Sequence, residues 1–119
     1  MKRDMEIVRE LLINISKGIQ KEKFRTKEEY EVYFYQLKIM KQVNLIDYDL
    51  RGTKDGNFFL NEPEITWYGN DYIDAFVDDT VWNKTKEVIK GKGLKVANVP
   101  FDIFLGLLKQ EFKTKLGLE

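Results

Sequence analysis

The sequence predicts an α+β domain in which two helices and a β-hairpin are followed by two to three further helices. The first observation is residues 30–46, whose apolar side chains recur every three or four positions, as on one face of a helix. The second is Asn44, a residue type that tolerates the left-handed conformation found at helix ends. The third is a change to strand-like periodicity over residues 45–67. A helix that runs directly into a hairpin is typical of a winged helix-turn-helix domain, and this is the fold we predict.

The chain of 119 residues is long enough to bury the core of one domain without disulfides. We predict a single winged-helix domain over 1–119, with the helices and wing in residues 1–67 and a C-terminal helical extension in 67–117. The sequence has no cysteine and no apolar run of bilayer length, and acidic residues follow the first basic ones too closely for a signal peptide. We therefore expect a cytoplasmic protein that does not enter membranes.

The first helix is predicted over residues 5–17, with Asp4 as its N-cap and Gly18 at its end. Its core-facing side chains have helical spacing: Val8, Leu11, Leu12, Ile15 and Ile19. The mostly polar residues 18–25 are predicted to form a loop. They leave little room for the extra short helix of a complete helix-turn-helix. Either the first turn of 26–32 takes that place or the motif is degenerate.

Thr26 is predicted to cap the central helix, and Glu28 and Glu29 favour its positive N-terminal end. This helix is apolar around its whole circumference near Phe34 and Tyr35, which indicates burial on more than one side. These two rings either pack against the C-terminal helices or form a surface for a partner. We favour packing, because surplus aromatic side chains usually belong to the core.

Residues 45–50 and 58–66 are predicted to be the paired strands of the hairpin. Between them, Asp55 and Gly56 supply the positive φ angles that a tight turn requires. The predicted wing is the 51–57 segment. Its tip carries polar side chains: Arg51, Lys54 and Asn57.

Two helices are predicted directly after the hairpin. Thr66 is expected to begin the first, and its inward-facing side chains have helical spacing: Tyr72, Ile73, Phe76 and Val77. Asp79 or Thr80, both good capping residues, is expected to begin the second, which ends at Gly91.

The last helix is predicted to begin near Pro100, which suits a first turn, and to end at Gly117. Its stripe consists of apolar side chains: Phe101, Phe104, Leu105, Leu108 and Phe112. This stripe is wide for a monomer of this size, and two-fold pairing is the commonest form of oligomer. A homodimer through residues 100–116 is therefore among the partners we expect.

The absence of His and Cys excludes Cys–His and Ser–His nucleophile pairs and the usual zinc sites. Ser16 is the only serine, and it has no imidazole to activate it. Asp71, Asp74 and Asp78 share one predicted helical face and could hold Mg²⁺. An exposed acidic face explains these three aspartates at least as well. We therefore predict a protein that is not an enzyme and has no metal site or cofactor.

Three segments of the chain resemble a known family: MKRDMEIVRELL, YQLKIMKQVNLI and EITWYGNDYIDAFVDDTVWNKTKEVI. The family consists of small uncharacterised bacterial and prophage-encoded proteins that open with M-K-R-D-M. It carries the motifs Y-H-L-K-L-L-x-x-A-G-L-I and I-T-W-x-G-H-D-F-L-D-A-x-R-D-D-x-x-W. The chain is also similar to YjcQ-like winged-helix proteins, which have an L-T-x-x-G element after the wing.

The resemblance covers about residues 1–90, and it is not complete. Gln36 and Asn70 stand where the family usually has His, and Val43-Asn44 replace Ala-Gly. The resemblance implies a winged-helix domain and assigns no activity.

Charge is unevenly distributed along the chain although its net value is zero. Residues 61–83 carry six acidic and no basic side chains, whereas residues 84–119 carry eight basic and four acidic ones. A strongly basic chain would favour nucleic acid as the partner, and this balance does not. Two kinds of function therefore stay open.

The first is an accessory or transcription-regulatory protein that binds double-stranded DNA. The 30–43 helix would enter the major groove and the 51–57 wing would contact the backbone or the minor groove. The predicted DNA-binding residues are polar, basic or aromatic side chains of these elements: Tyr35, Gln36, Lys38, Lys41, Gln42, Arg51, Lys54 and Asn57. A Gln amide suits adenine, and the cations would contact phosphates. Three acidic side chains near this surface would repel phosphate: Glu28, Glu29 and Glu31.

The alternative is a non-catalytic protein–protein interaction module, phage-related, on the same scaffold. Its predicted partner surface combines aromatic and acidic side chains: Phe34, Tyr35, Asp71, Asp74 and Asp78. Acidic surfaces can bind a basic partner, although most of them only interact with solvent.

Overall fold

The computed structural model of the protein describes residues 2–19, 21, 23–53 and 56–118. It is a mixed α+β structure with five α-helices and a two-stranded antiparallel sheet in this part of the chain. The helices are α1 (Met5–Ser16), α2 (Lys27–Gln42), α3 (Trp67–Val77), α4 (Asp79–Gly91) and α5 (Phe101–Lys115). The strands are β1 (Ile46–Thr53) and β2 (Gly56–Ile65), and a short 3₁₀ turn covers Val96–Asn98. The predicted order of elements is confirmed.

Helix α1 begins as predicted, because the Asp4 carboxylate accepts the N–H groups of Glu6 and Ile7 at 3.0 and 3.3 Å. The chain leaves the helix at Gly18, whose φ of +72° suits a residue without a Cβ. The prediction that Ile19 faces the core is wrong, since its side chain is 52% exposed. The turn at Gly18 takes the backbone off the helix axis, so helical spacing no longer applies at Ile19.

Helix α2 is capped by Thr26, whose hydroxyl accepts the Glu29 N–H at 3.0 Å. It stops where predicted, because Asn44 has a φ of 63° and turns the chain into β1. Among the described residues between α1 and α2 none is helical. The described part of the chain therefore has no separate short helix before α2.

Strands β1 and β2 pair from Ile46 opposite Ile65 to Thr53 opposite Gly56, with an irregular register near Asp49. Gly56 was predicted to lie in the turn, and it is instead the first residue of β2. Asp55 lies outside the described residues.

The start of α3 is fixed against the end of α2. Thr66 caps α3 through the Gly69 N–H at 2.9 Å, and the Thr66 N–H donates to the Leu45 carbonyl at 3.1 Å. A Cβ on Gly69 would lie 2.2 Å from the Leu45 carbonyl oxygen and 2.9 Å from a methyl group of Ile65. Only glycine allows this approach, so α3 is held directly behind the point where α2 becomes the hairpin.

Helix α4 is capped by Asp78, not by Asp79 or Thr80 as predicted. The Asp78 carboxylate accepts the Val81 N–H at 3.0 Å. Asp79 is thereby the first helical residue, and its carboxylate forms an ion pair with Arg9 at 2.6 Å. Three consecutive residues with capping side chains make the sequence ambiguous here, and the bend between α3 and α4 at Asp78 decides which one serves.

The core is one cluster to which all five helices and the hairpin contribute. Its largest fully buried side chains are aromatic: Trp82, Phe76 and Phe104. The Trp82 ring lies 5.9 Å from Phe76 and 5.5 Å from Phe104, so α4 joins α3 and α5. No helix in the described ranges has the length and apolarity needed to cross a membrane.

Candidate nucleic-acid interface

Helix α2 leaves one stripe of its surface uncovered by the rest of the chain. Its residues follow one another at intervals of three or four positions, and we call them the α2 stripe: Glu28, Glu31, Tyr35, Lys38 and Gln42. All five are exposed except Tyr35, which is half-buried. The two glutamates occupy the N-terminal half, whereas Lys38 and Gln42 occupy the C-terminal half. The negative and positive ends of the stripe are therefore separated by roughly 10 Å along the helix.

Gln36 was predicted to face outward, and this is wrong. Its side chain is only 1% exposed. Its amide oxygen accepts the Asp4 N–H at 3.0 Å, and its amide nitrogen donates to the Lys2 carbonyl at 3.1 Å. Because both ends of the amide are used by the N-terminal segment, Gln36 fixes that segment to α2 and has no group left for a base edge.

Lys41 was predicted to reach a phosphate, but the hairpin already holds it. Its ammonium donates to the Tyr48 carbonyl, lies 4.8 Å from the centre of the Tyr48 ring, and is 3.5 Å from the Asp47 carboxylate. These contacts join the end of α2 to β1. A phosphate would have to compete with all three of them.

The predicted wing residues are only partly described. Arg51 is exposed and lies opposite Phe58 in the sheet. The Asn57 backbone lies in β2 opposite Gly52. Lys54 lies outside the described residues. Arg51 is thus the wing cation whose position the structure gives.

Phe34 belongs to a cluster of rings that joins α2 to the hairpin. We call it the aromatic cluster: Phe24, Tyr30, Tyr33, Phe34, Tyr48 and Phe59. Phe34 stacks on Phe59 at 5.6 Å. Its predicted packing against the C-terminal helices is therefore wrong, because the partner is the hairpin. Burial in this cluster raises the pKa of the Tyr33 and Tyr48 hydroxyls above the usual range.

The edge of α2 that faces away from the hairpin borders a groove of about 230 Å³. Tyr35 and Gln42 line it together with Phe101 of α5 and Arg3. The Arg3 guanidinium donates to the Val99 carbonyl and lies 5.6 Å from the centre of the Phe101 ring. Arg3 is therefore held in a fixed position beside the C-terminal half of the α2 stripe.

A second groove, of about 540 Å³, lies on the other side of Arg3. We call it the basic groove, and both charged and apolar residues line it: Lys2, Arg3, Asp4, Met5, Glu6, Lys86, Lys90, Leu94, Lys95, Val96 and Ala97. Five of these residues are cationic and two are acidic. Sequence reasoning missed this groove. The signal that could have found it is the run of lysines after the acidic segment: Lys84, Lys86, Lys90, Lys92 and Lys95.

Comparison with known proteins identifies the family. The model of a family described as hypothetical protein (DUF2513) matches residues 2–95, which is most of the chain. The chain belongs to the DUF2513 family. A protein of Haemophilus influenzae described as an uncharacterized protein is 27% identical to this DUF2513 chain, in an alignment that covers 96% of this chain and 94% of that protein. No solved structure matches the chain.

Two of the three aspartates predicted for the partner surface are exposed in this DUF2513 protein, and the third is bound within the chain. Asp71 and Asp74 are exposed on α3, but Asp78 is bound to the Lys115 ammonium as well as capping α4. The hydrogen bond from Lys115 lowers the pKa of the Asp78 carboxyl, and the one from the Val81 N–H adds to this shift. Within the described ranges no group of three or more carboxylates is arranged to hold a metal ion.

The most exposed aromatic side chains of the described DUF2513 structure lie at the start of α3. Trp67 is 88% exposed and Tyr68 is 41% exposed. The Tyr68 ring lies 5.2 Å from that of Tyr72, and the Tyr68–Tyr72 hydrogen bond raises the pKa of the Tyr68 hydroxyl. This exposed pair of residues was not among the predicted sites.

The apolar stripe of α5, which motivated the homodimer, is largely covered within the chain. Phe104, Leu105 and Leu108 are buried in the core, whereas Ile103 is exposed on the other side of the helix. The homodimer stays a prediction.

Proposed function

We propose that this protein is a non-catalytic, winged-helix-like DNA-binding protein with an accessory or transcription-regulatory role. In this proposal the C-terminal half of the α2 stripe enters the major groove, and the hairpin contacts the adjacent backbone. The observation that carries it is the joint at Asn44. There a helix with a free outer stripe passes directly into a hairpin fastened to one of its edges.

The hairpin is held firmly enough to act as a wing. Phe34 stacks on Phe59, and Lys41 is bound to Tyr48, so two separate contacts set the angle between the helix and the strands. A fixed angle supports the proposal, because a helix and a wing must reach the duplex at the same time.

The base-reading residue in this proposal is Gln42 in place of the buried Gln36. Gln42 is exposed at the C-terminal end of the stripe, four residues beyond Lys38. Its amide can donate and accept at once, which matches the N6 and N7 positions of adenine. Lys38 and Arg51 would contact phosphates on either side of the groove. Glu28 and Glu31 restrict the contact to this half of α2.

The test is binding of a labelled generic duplex, measured by fluorescence anisotropy at about 50 mM and about 200 mM salt. We expect the wild-type protein to bind at the lower concentration and the Lys38→Glu/Arg51→Glu variant to bind at least ~10-fold more weakly. The control is Lys113→Glu, an exposed lysine near the end of α5, which should leave affinity unchanged. Absence of wild-type binding at low salt would remove the proposal.

A second candidate is the protein-interaction module, and the exposed Trp67 is the observation that favours it. Trp67, Asp71 and Asp74 are spaced by four and three residues, so they share one exposed face of α3. An aromatic side chain beside two carboxylates suits a basic protein partner.

Poly-lysine is the probe for this face, and the readout is intrinsic tryptophan fluorescence, since Trp82 is buried and Trp67 is not. Binding that shifts the emission and disappears in Asp71→Asn/Asp74→Asn would support the second candidate. An unchanged spectrum would remove it.

A further inference from the structure

The α2 stripe and the hairpin together offer few cations to a polyanion. Gln36 is buried and Lys41 is held by Tyr48, which leaves Lys38 and Arg51 as the exposed basic residues of the described interface. Phosphate contacts supply essentially all of the affinity of proteins for DNA of generic sequence. If the proposed function holds, further phosphate contacts have to come from another surface next to α2.

We propose that the basic groove is the main phosphate-binding surface of this protein, an inference that rests on the proposed DNA binding. Lys2, Lys90 and Lys95 line the groove, and all three are exposed. No ion pair within the described ranges involves them. Three free ammonium groups around one concave surface are suited to successive phosphates of one strand.

Arg3 connects this surface to the reading helix. It lines both the groove that contains Tyr35 and Gln42 and the basic groove that contains Lys90 and Lys95. Its guanidinium is held by the Val99 carbonyl and the Phe101 ring, so it does not have to be ordered on binding. In this proposal, a DNA strand that leaves the major-groove contact beside Gln42 continues over Arg3 and reaches the lysines of the basic groove.

The two carboxylates of the groove are already bound within the chain. Asp4 accepts two backbone N–H groups at the start of α1. Glu6 pairs with the Lys86 ammonium at 2.6 Å and accepts the Trp82 indole N–H at 3.3 Å. Lys86 neutralises Glu6, and the remaining lysines give the groove its positive potential.

An acidic peptide is the competing ligand, because the groove also has an apolar part. Leu94 is 55% exposed beside Val96 and could receive an apolar side chain. DNA is favoured because the charged side of the groove runs through Arg3 toward the α2 stripe, where the proposed major-groove contact lies. An isolated peptide site has no need of that continuity.

The experiment compares three variants of the full chain with the same labelled duplex over a range of salt concentrations. The groove variant is Lys2→Gln/Lys90→Gln/Lys95→Gln. The control variant, Lys17→Gln/Lys23→Gln/Lys113→Gln, makes the same change of charge at exposed lysines outside the groove. The stripe variant is Lys38→Gln/Gln42→Ala. Circular dichroism checks that each variant is folded.

The slope of log affinity against log salt is negative, and we expect it to be shallower by about 2.7 in the groove variant, as loss of three phosphate contacts requires. The control variant should keep the wild-type slope. A groove variant with the wild-type slope, together with a weakened stripe variant, overturns the inference and leaves the proposed function standing. Absence of wild-type binding overturns both. Poly-glutamate is the probe for the competing acidic peptide. If the groove variant loses binding to poly-glutamate but binds DNA as the wild type does, the groove is assigned to an acidic peptide and the inference is overturned.

Discussion

Each edge of α2 fastens another part of the chain to the helix, but the two edges leave different charges free. At the hairpin edge, aromatic rings and Lys41 fasten β1 and β2 to the helix, and the cation is bound to Tyr48. At the opposite edge, Gln36 fastens the N-terminal segment through neutral hydrogen bonds, and Lys2 keeps its ammonium group free. One edge therefore serves mainly to hold the fold, whereas the other holds the fold and also presents positive charge.

The difference shows that exposure and residue type alone do not identify a binding surface. Lys41 and Lys38 are three residues apart on one helix, yet Tyr48 and Asp47 engage only Lys41. A cation without an ion pair or carbonyl contact within the chain can bind a polyanion without first breaking a native contact. Lys2 and Lys38 are of this kind, and Lys41 is not.

The largest effect that can test the comparison is expected at the hairpin edge. Phe34→Ala removes a half-buried ring that contacts Phe24, Tyr33 and Phe59, and we expect it to lower the free energy of unfolding by about 3 kcal/mol. Urea denaturation measures this change. Lys38→Ala on the uncovered stripe is the matched control and should stay within about 0.5 kcal/mol of wild type.

A smaller effect is expected at the N-terminal edge. Gln36→Ala leaves the Asp4 N–H and the Lys2 carbonyl without their partner, and we expect a loss of about 2 kcal/mol. The variant should also release the segment that carries Lys2 and Arg3, which faster hydrogen exchange of the Asp4 amide would report. Wild-type stability and exchange in this variant would show that Gln36 does not fasten the segment.

The smallest effect concerns a lysine that is paired within the chain: Lys115, at the end of α5, binds the Asp78 carboxylate at the start of α4. The Lys115 ammonium lowers the pKa of the Asp78 carboxyl, so the folded value lies below the usual aspartate value of about 3.9. The stabilisation is therefore present above that pH and is lost as the pH falls through the folded pKa.

Asp78→Asn keeps a capping side chain but cannot titrate, so its stability should fall less steeply than that of wild type as the pH drops below about 4. Urea midpoints at several pH values measure this slope. Parallel curves for the two proteins would mean that Lys115 is not paired with Asp78 in solution.

Much of the fold was predictable from the sequence because it depends on local signals. The cap at Asp4, the left-handed Asn44 and the cap at Thr66 each act through their own backbone neighbours. The change from helical to strand periodicity is also a local signal, and it gave the hairpin.

The candidate site was less predictable because it depends on contacts between distant residues. Near Phe34 the helix is apolar all round, so its periodicity did not show that Gln36 faces inward. Lys41 is bound by a strand whose register the sequence does not state. The basic groove joins Lys2 to Lys95, residues brought together only by tertiary packing.

The C-terminal half of the α2 stripe is the surface that we propose meets DNA. The most direct test is backbone amide chemical-shift mapping of the labelled protein titrated with a generic duplex. We predict that the perturbed amides cluster at Lys38 and Gln42 and extend over Arg3 to Lys90 and Lys95. Perturbations confined to the face of α3 that carries Trp67, or no perturbation at low salt, would contradict it.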